Sequence, residues 1–336
     1  MKDLTNSPQD RQNILNNRYA LEQAQAYLNL GGLIFENELV FTKHQVAELF
    51  DISDATIERY LSNHAEELKS NGYRVFRGKK LKEFKDLYFG TLIHEGTKTT
   101  MLGIFNFRAF INLSMLLTES EKAKILRSRL LDIVLDVISQ RSGGHTKFIN
   151  QRDEDYLLAS IQGENYRHKF TESVGKFVEG TTWRYSRLTN IIYQIIFQEN
   201  ATEYKKILKL ASNNNLRDTL YSEVLNLIAS FEAGISEEIE KMSTNLGRKL
   251  TTKEAENLIL EFGSHSLYKP FILDARTKMA SRDLCFRDAL HHKLEAYISS
   301  VPETDFEKFL GEKSLALEER LSNPETLDVL KRLKDR

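Results

Sequence analysis

The pattern of apolar and polar positions is most informative between Phe41 and Leu61. Val46, Ala47, Leu49 and Phe50 recur at helical spacing behind Thr42, a residue suited to cap a helix, and Ile52, Ile57 and Leu61 continue the apolar seam. The pattern predicts two short helices sharing one small core, with Asp51-Ile52-Ser53 as the turn and Ser53 or Asp54 capping the second helix. Asp54, Ala55, Thr56, Glu58, Arg59, Ser62 and Asn63 then face outward. This is a helix-turn-helix pattern, in which the second helix reads base edges in the major groove of double-stranded DNA. Thr56 suits a base or a phosphate, Arg59 suits a bidentate pair with guanine, and Asn63 shares their face. An ordinary helical hairpin in a core has the same spacing.

Behind this pair, Tyr73 to Lys82 alternates and ends in a basic stretch, the composition expected of a wing. Arg74, Arg77, Lys79, Lys80, Lys82 and Lys85 stand against Glu83 and Asp86, a cluster suited to phosphate contacts or, more plainly, a solvated charge run. Leu33 to Val40 is expected to be a strand against which the wing pairs. Leu87 to His94 and Met101 to Asn106 are expected to be strands of a second small sheet around Glu95-Gly96-Thr97.

The remaining pattern is helical. Met1 to Asn13 is polar and expected to fray, Asn17 to Leu30 is a helix closed by Gly31-Gly32, and Phe107 to Leu117 and Glu119 to Gln140 follow the sheet segments. After Ser142-Gly143-Gly144, helical spacing recurs over Asp153–Ser160, Tyr166–Val178, Thr182–Gln198, Thr202–Ala211, Leu216–Met242 and Thr252–Phe262, the last with a Thr251/Glu254 capping box, and over Phe271–Ser299. The fold class is therefore mainly α with a small β component: an N-terminal winged helix-turn-helix followed by a helical bundle. The expected parts are an N-terminal helix (1–32), the winged region with a small α/β unit (33–144) and an all-α domain (145–336).

Composition narrows the picture. The 336 residues are 41% hydrophobic and 28% charged, ordinary for a globular protein, and 47 cations against 48 anions exclude a uniformly basic coat. The charge is partitioned, with 17 Lys+Arg against 13 Asp+Glu between 41 and 150 and 7 against 9 between 301 and 336. The single cysteine, Cys285, excludes an intrachain disulfide and a cysteine-based zinc site. No metal-ligand spacing links His44, His64, His94 and His265, and no nucleotide-loop or serine-hydrolase motif occurs, so no cofactor is expected. Without a long apolar run or a signal-like N-terminus, the chain is expected in the cytoplasm, away from membranes.

Val46-Ala47-Glu48-Leu49-Phe50, then Ile104-Phe105-Asn106-Phe107 opening an apolar helix, resembles the RhuM-like virulence-associated proteins of bacteria and their phage antirepressor-like relatives. The pair Asn165 and His168, and Leu227 to Phe262 with Thr251-Thr252-Lys253, are similar to later parts of that family. The likeness covers roughly half of the chain, in scattered pieces, and fades over the last seventy residues. It implies a DNA-binding protein of mobile elements, sometimes adjoining Fic-type proteins, and supplies no catalytic residue. No His-Pro-Phe occurs, so AMP transfer is not implied.

One constellation carries possible chemistry. On the expected helix from Phe271 to Ser299, Asp283, Arg287 and His291 fall i, i+4, i+8 along one side, a structural salt-bridge ladder. Arg287 and His292 also fit the R-x4-H pattern of HEPN-type ribonucleases, with arginine stabilising phosphate charge and histidine as general acid or base, although His292 points away from Arg287 on an ideal wheel. A partner or ligand site is the third reading. Trp183, with Arg184 and Arg187, is taken as core rather than as a basic aromatic surface. The expected function is DNA binding in regulation or phage and mobile-element conflict, by a homodimer built through Leu216–Ile298. The alternatives are a toxin-like ribonuclease and a module whose C-terminal helices bind a protein partner.

Overall fold

The computed structural model describes residues 3–28, 30–88, 99–153, 155–311 and 324. By internal packing the chain divides into two compact units, Met1–Val137 and Ile138–Arg336, the division falling ahead of the Gly143-Gly144 pair. The described part is mainly helical, with one small antiparallel sheet.

The first unit begins with α1 (Pro8–Asn16), capped by Ser7, and α2 (Arg18–Leu28). From Asp3 on, the segment does not fray as its polarity suggests. Arg11 is buried and donates through Nε and Nη2 to both oxygens of Glu67 at 2.7 and 2.8 Å, and through Nη1 to the Leu4 and Thr5 carbonyls. That buried guanidinium, bonded through all three of its nitrogens, ties residues 4 and 5 to Glu67.

A hairpin follows: β1 (Leu33–Phe35) and β2 (Glu38–Thr42) join through Glu36 and Asn37, both at positive φ as a two-residue turn demands. Then come α3 (Lys43–Phe50), α4 (Asp54–Asn63), α5 (Ala65–Ser70), β3 (Tyr73–Arg77), α6 (Gly78–Tyr88), β4 (Met101–Asn106), α7 (Phe107–Leu116) and α8 (Glu121–Arg141). The strand order is β1-β2-β4-β3, antiparallel throughout. One face, with Phe35, Val40, Phe76, Leu102 and Ile104, is closed by Leu81 and Phe84 of α6. The other, with Phe41 and Phe105, belongs to the core of α1, α3, α4 and α7, where Phe110 stacks on Phe41 and Phe50 with ring centroids 4.6 and 5.0 Å apart.

Three expectations change here. The basic stretch after Arg77 is the helix α6 rather than the turn of a wing, because Leu81, Phe84 and Tyr88 recur at helical spacing against the sheet. β3 pairs with β4, not with the strand before α3, and β4 joins the one sheet rather than a second. Of the expected strand Leu87–His94, Leu87 and Tyr88 are helical, and its remainder with the Glu95-Gly96-Thr97 turn lies outside the described residues.

The second unit contains α9 (Tyr156–Phe177), α10 (Trp183–Phe197), α11 (Ala201–Ile207), α12 (Ser222–Leu246), α13 (Thr252–Ser264), α14 (Lys269–Phe286) and α15 (Glu303–Leu310). α9 packs along α12, and α10 packs against α13 and α14. The expected helices over 153–160 and 166–178 are one helix, whereas Leu216 to Met242 is broken by the extended Leu220 and Tyr221. The expected helix to Ser299 stops at Phe286. Asp288 turns to φ 48°, the Ala289 amide bonds back to the Asp283 carbonyl, and His292 to Tyr297 forms a short 3₁₀ turn.

Candidate functional site

The helix pair is built as its sequence demands. The Thr42 hydroxyl accepts the Gln45 amide at 3.2 Å while Gln45 Oε1 accepts the Thr42 amide at 2.9 Å, a complete capping box for α3. Asp51, left-handed at φ 55°, closes α3, and the Ser53 hydroxyl accepts the Thr56 amide at 3.1 Å to open α4. Val46, Ala47, Phe50, Ile57 and Tyr60 are buried, so Ala55, Glu58, Arg59, Ser62 and Asn63 are exposed, with Asp54 and Thr56 half-buried.

Arg59, about half exposed, lies over the Tyr60 ring and pairs with Glu119. The other Glu119 oxygen accepts the Tyr60 hydroxyl at 2.8 Å. Burial alone would raise the Glu119 carboxyl; hydrogen bonds from Tyr60, its own backbone and Arg59 outweigh it and hold the group below its ordinary value. The Thr56 hydroxyl shares a hydrogen bond with Ser53 at 3.0 Å. Lys43 reaches Glu58 at 2.7 Å and Asp54 at 3.5 Å, neutralising the acids of α4's outer face.

The other basic candidates are split between the sheet and α6. Arg74, on β3, pairs with Glu38 across the sheet, and Lys80, on α6, pairs with Glu36 at 2.6 Å, so both meet the β1–β2 hairpin. Lys79 is 92% exposed, with Glu83 3.7 Å away, and Arg77 and Lys82 are exposed. Phosphate binding by Arg74 and Lys80 must therefore compete with acids already in place.

The Arg287/His292 pair is not assembled. The helix meant to carry both ends between them; the Arg287 side chain is 1% exposed, whereas His292 is on the surface. The ladder residues do meet, through a fold that a regular helix does not foretell. Asp283 is fully buried and accepts the Tyr204 and Tyr221 hydroxyls at 2.7 Å each and His291 Nε2 at 2.7 Å, with Arg287 Nε 3.4 Å away. The second His291 nitrogen lies 2.5 Å from Glu199. A ring with carboxylates on both nitrogens is an imidazolium. Burial opposes that charge, but Asp283 and Glu199 raise the His291 pKa to about 9. Asp283 is held low despite its burial by Arg287, His291 and Tyr204.

Arg287 lies over the Tyr221 ring, 4.8 Å from its centroid, and its nitrogens form no hydrogen bond among the described residues. Nearby, Arg282 joins Glu223 at 3.1 Å to Asp305 at 2.8 Å, tying α12, α14 and α15 together. This balanced, buried centre fixes α11, α12 and the segment after α14; neither Asp283 nor His291 reaches solvent to meet a substrate. Sequence reasoning misses Glu199, Tyr204 and Tyr221, because buried tyrosines and a loop glutamate have no local signature.

Trp183 is a further correction. It is 49% exposed at the start of α10, not in the core, and Arg187 lies over it at 5.0 Å. Among the described residues no group of histidine, cysteine and carboxylate side chains forms a metal site, and no helix is long and apolar enough to cross a membrane. A scan against models of known protein families finds no match to this chain, and a search of curated proteins finds none either.

Proposed function

We propose that this protein binds double-stranded DNA through α3 and α4 as a winged helix-turn-helix, as a homodimer, in gene regulation or conflict on bacterial or phage mobile elements. One observation carries the reading. α4 is anchored by Ile57 and Tyr60 and turns Thr56, Arg59, Ser62 and Asn63 outward from a capped, short-turned helix pair. The sheet order supports it, since β2 precedes the pair and β3 and β4 follow it, with β4 between the other two. That is a strand, a helix pair and a returning pair of strands, with α6 following the first of the two in the chain. The local excess of 17 cations over 13 anions between 41 and 150 and the RhuM-like resemblance point the same way.

Dimerisation is supported by the arithmetic of recognition: one helix pair spans a few base pairs, and useful specificity comes from two units about one DNA turn apart. The second unit also exposes Leu246, Leu267 and Phe271, apolar side chains suited to a self-complementary interface. The test is selection of duplexes from a random pool by the full chain, with light scattering on the same sample. A recovered, pseudo-palindromic sequence and twice the monomer mass support the proposal. A pool that stays random after repeated rounds overturns DNA reading, and a monomer with a single half-site footprint overturns the dimer. No geometry favours the ribonuclease reading, whose two residues are separated by burial.

A further inference from the structure

A groove of about 630 Å³ runs beside α10 in the second unit, within the size range of small-molecule sites. Trp183 and Leu260, each about half exposed, give it apolar walls, and Asn190 and Gln194 line it further along α10. Asn190 Oδ1 already accepts the Ala201 amide at 3.2 Å, which leaves its NH2 to donate; Gln194 is exposed and offers both a donor and an acceptor.

The charged element is unusual. Glu256 is 4% exposed, yet its partners are surface cations: Arg187 binds one carboxylate oxygen through Nε, and Lys253 lies 3.4 Å from the other. The buried carboxylate holds the inner nitrogen, the guanidinium carbon lies 5.0 Å from the centre of the Trp183 ring, and the ion pair with Glu256 uses neither terminal nitrogen of this half-exposed side chain. Such a fork, held in advance, binds the oxygens of a phosphate at a low cost in side-chain entropy. With one buried acid between them, Arg187 and Lys253 leave the rim cationic.

We propose that this groove binds a nucleobase carrying a phosphate, with the base against Trp183 and Leu260, its polar edge at Asn190 and Gln194, and the phosphate on Arg187 and Lys253. An aromatic wall beside a guanidinium plane is how unstacked bases are held, and the two amides supply the hydrogen-bonding edge that a purely apolar ligand would leave unmatched. The group arrives either on a free nucleotide or on single-stranded nucleic acid, which share this chemistry. The site lies in the second unit and does not rest on the helix-turn-helix reading.

Trp183 is the one tryptophan of the chain, so emission excited beyond the tyrosine band reports this site alone. The full-length protein is titrated with adenosine and cytidine monophosphates, with a short oligouridylate, and with inorganic phosphate as control. Saturable quenching by the mononucleotides supports a free nucleotide as the source, and quenching by the oligonucleotide alone supports a single strand. In either case Arg187→Ala weakens binding about tenfold or more, as loss of a charged hydrogen-bonding pair does, and Glu256→Gln, which releases the guanidinium, weakens it less. Lys253 stays beside the buried Glu256 when Arg187 is replaced, and circular dichroism with a thermal melt checks that Arg187→Ala keeps the fold. Unchanged emission with every probe, or equal affinity of wild type and Arg187→Ala, overturns the proposal. So does quenching that Arg59→Ala abolishes as fully as Arg187→Ala, since the ligand would then sit on the helix-turn-helix.

Discussion

Arg59 and Glu119 form an ion pair on the outer face of α4, and the same carboxylate also holds the Tyr60 hydroxyl. The arginine of α4 is thus restrained by an acid in the short connection between α7 and α8. Exposed pairs of this kind contribute about 0.2–1 kcal/mol, so on the proposed DNA reading a phosphate or guanine edge would displace Glu119 without a large penalty. Glu119→Gln is expected to raise duplex affinity by up to about fivefold, the equivalent of the upper end of that energy, with little change in thermal stability. Unchanged or lower affinity in an anisotropy titration would show that Glu119 does not restrain Arg59.

The cations of α6 test whether this helix contacts the DNA backbone. Lys79→Ala with Lys80→Ala is expected to weaken all duplexes alike and to flatten the salt dependence of log K by about one for each phosphate no longer neutralised. Lys80 gives up its Glu36 partner to bind, so Lys79, the more exposed, contributes the larger share. A weakening confined to one sequence would place α6 on base edges instead.

How far the sequence carries is visible in these two elements. The helix pair is legible down to the caps Thr42 and Ser53, which act on neighbours a few positions away, although the Gln45 half of the first capping box is not foreseen. α6 reads wrongly because its lysines resemble a turn while Leu81, Phe84 and Tyr88, the apolar residues that face the sheet, carry the helical period. The end of α14 is not legible. No glycine or proline marks Arg287-Asp288, and the break is imposed from a distance by Asp283, whose partners Tyr204 and Tyr221 lie 79 and 62 residues away. Helical spacing thus brings Asp283, Arg287 and His291 together correctly, but on a helix that in fact ends at Phe286. Trp183 is misplaced because that spacing does not say which face of α10 is covered.

The buried centre predicts a stability phenotype. Asp283→Asn is expected to cost about 3–5 kcal/mol, the range for breaking a buried ion pair and stranding its partners. His292→Ala is expected to change stability by less than about 0.5 kcal/mol, as surface substitutions do. Chemical denaturation of both variants decides it; comparable losses would mean that His292 belongs to the centre.

The pH profile follows from the same groups. His291 titrates near its ordinary 6.5 when unfolded and at about 9 when folded, so the folded state binds more protons between these values. Its contribution is complete below about pH 6.5 and is lost as pH rises through 9. Glu223 is shifted the other way: burial would raise it, but Arg282 and Lys278 hold it at about 2, so its contribution is present above about 4.5 and is lost as pH falls through 2. Denaturation midpoints should therefore decline on the alkaline side in wild type and be flatter there in His291→Gln. Parallel alkaline profiles would show that His291 is not an imidazolium in the folded protein.

The most direct measurement is the affinity of wild type and Arg59→Ala for a selected duplex and for a scrambled one at one salt concentration. DNA reading by α4 predicts a loss of about 1–3 kcal/mol on the selected duplex and little on the scrambled one, with the circular dichroism spectrum unchanged. Equal affinity of the two proteins for the selected duplex would contradict it.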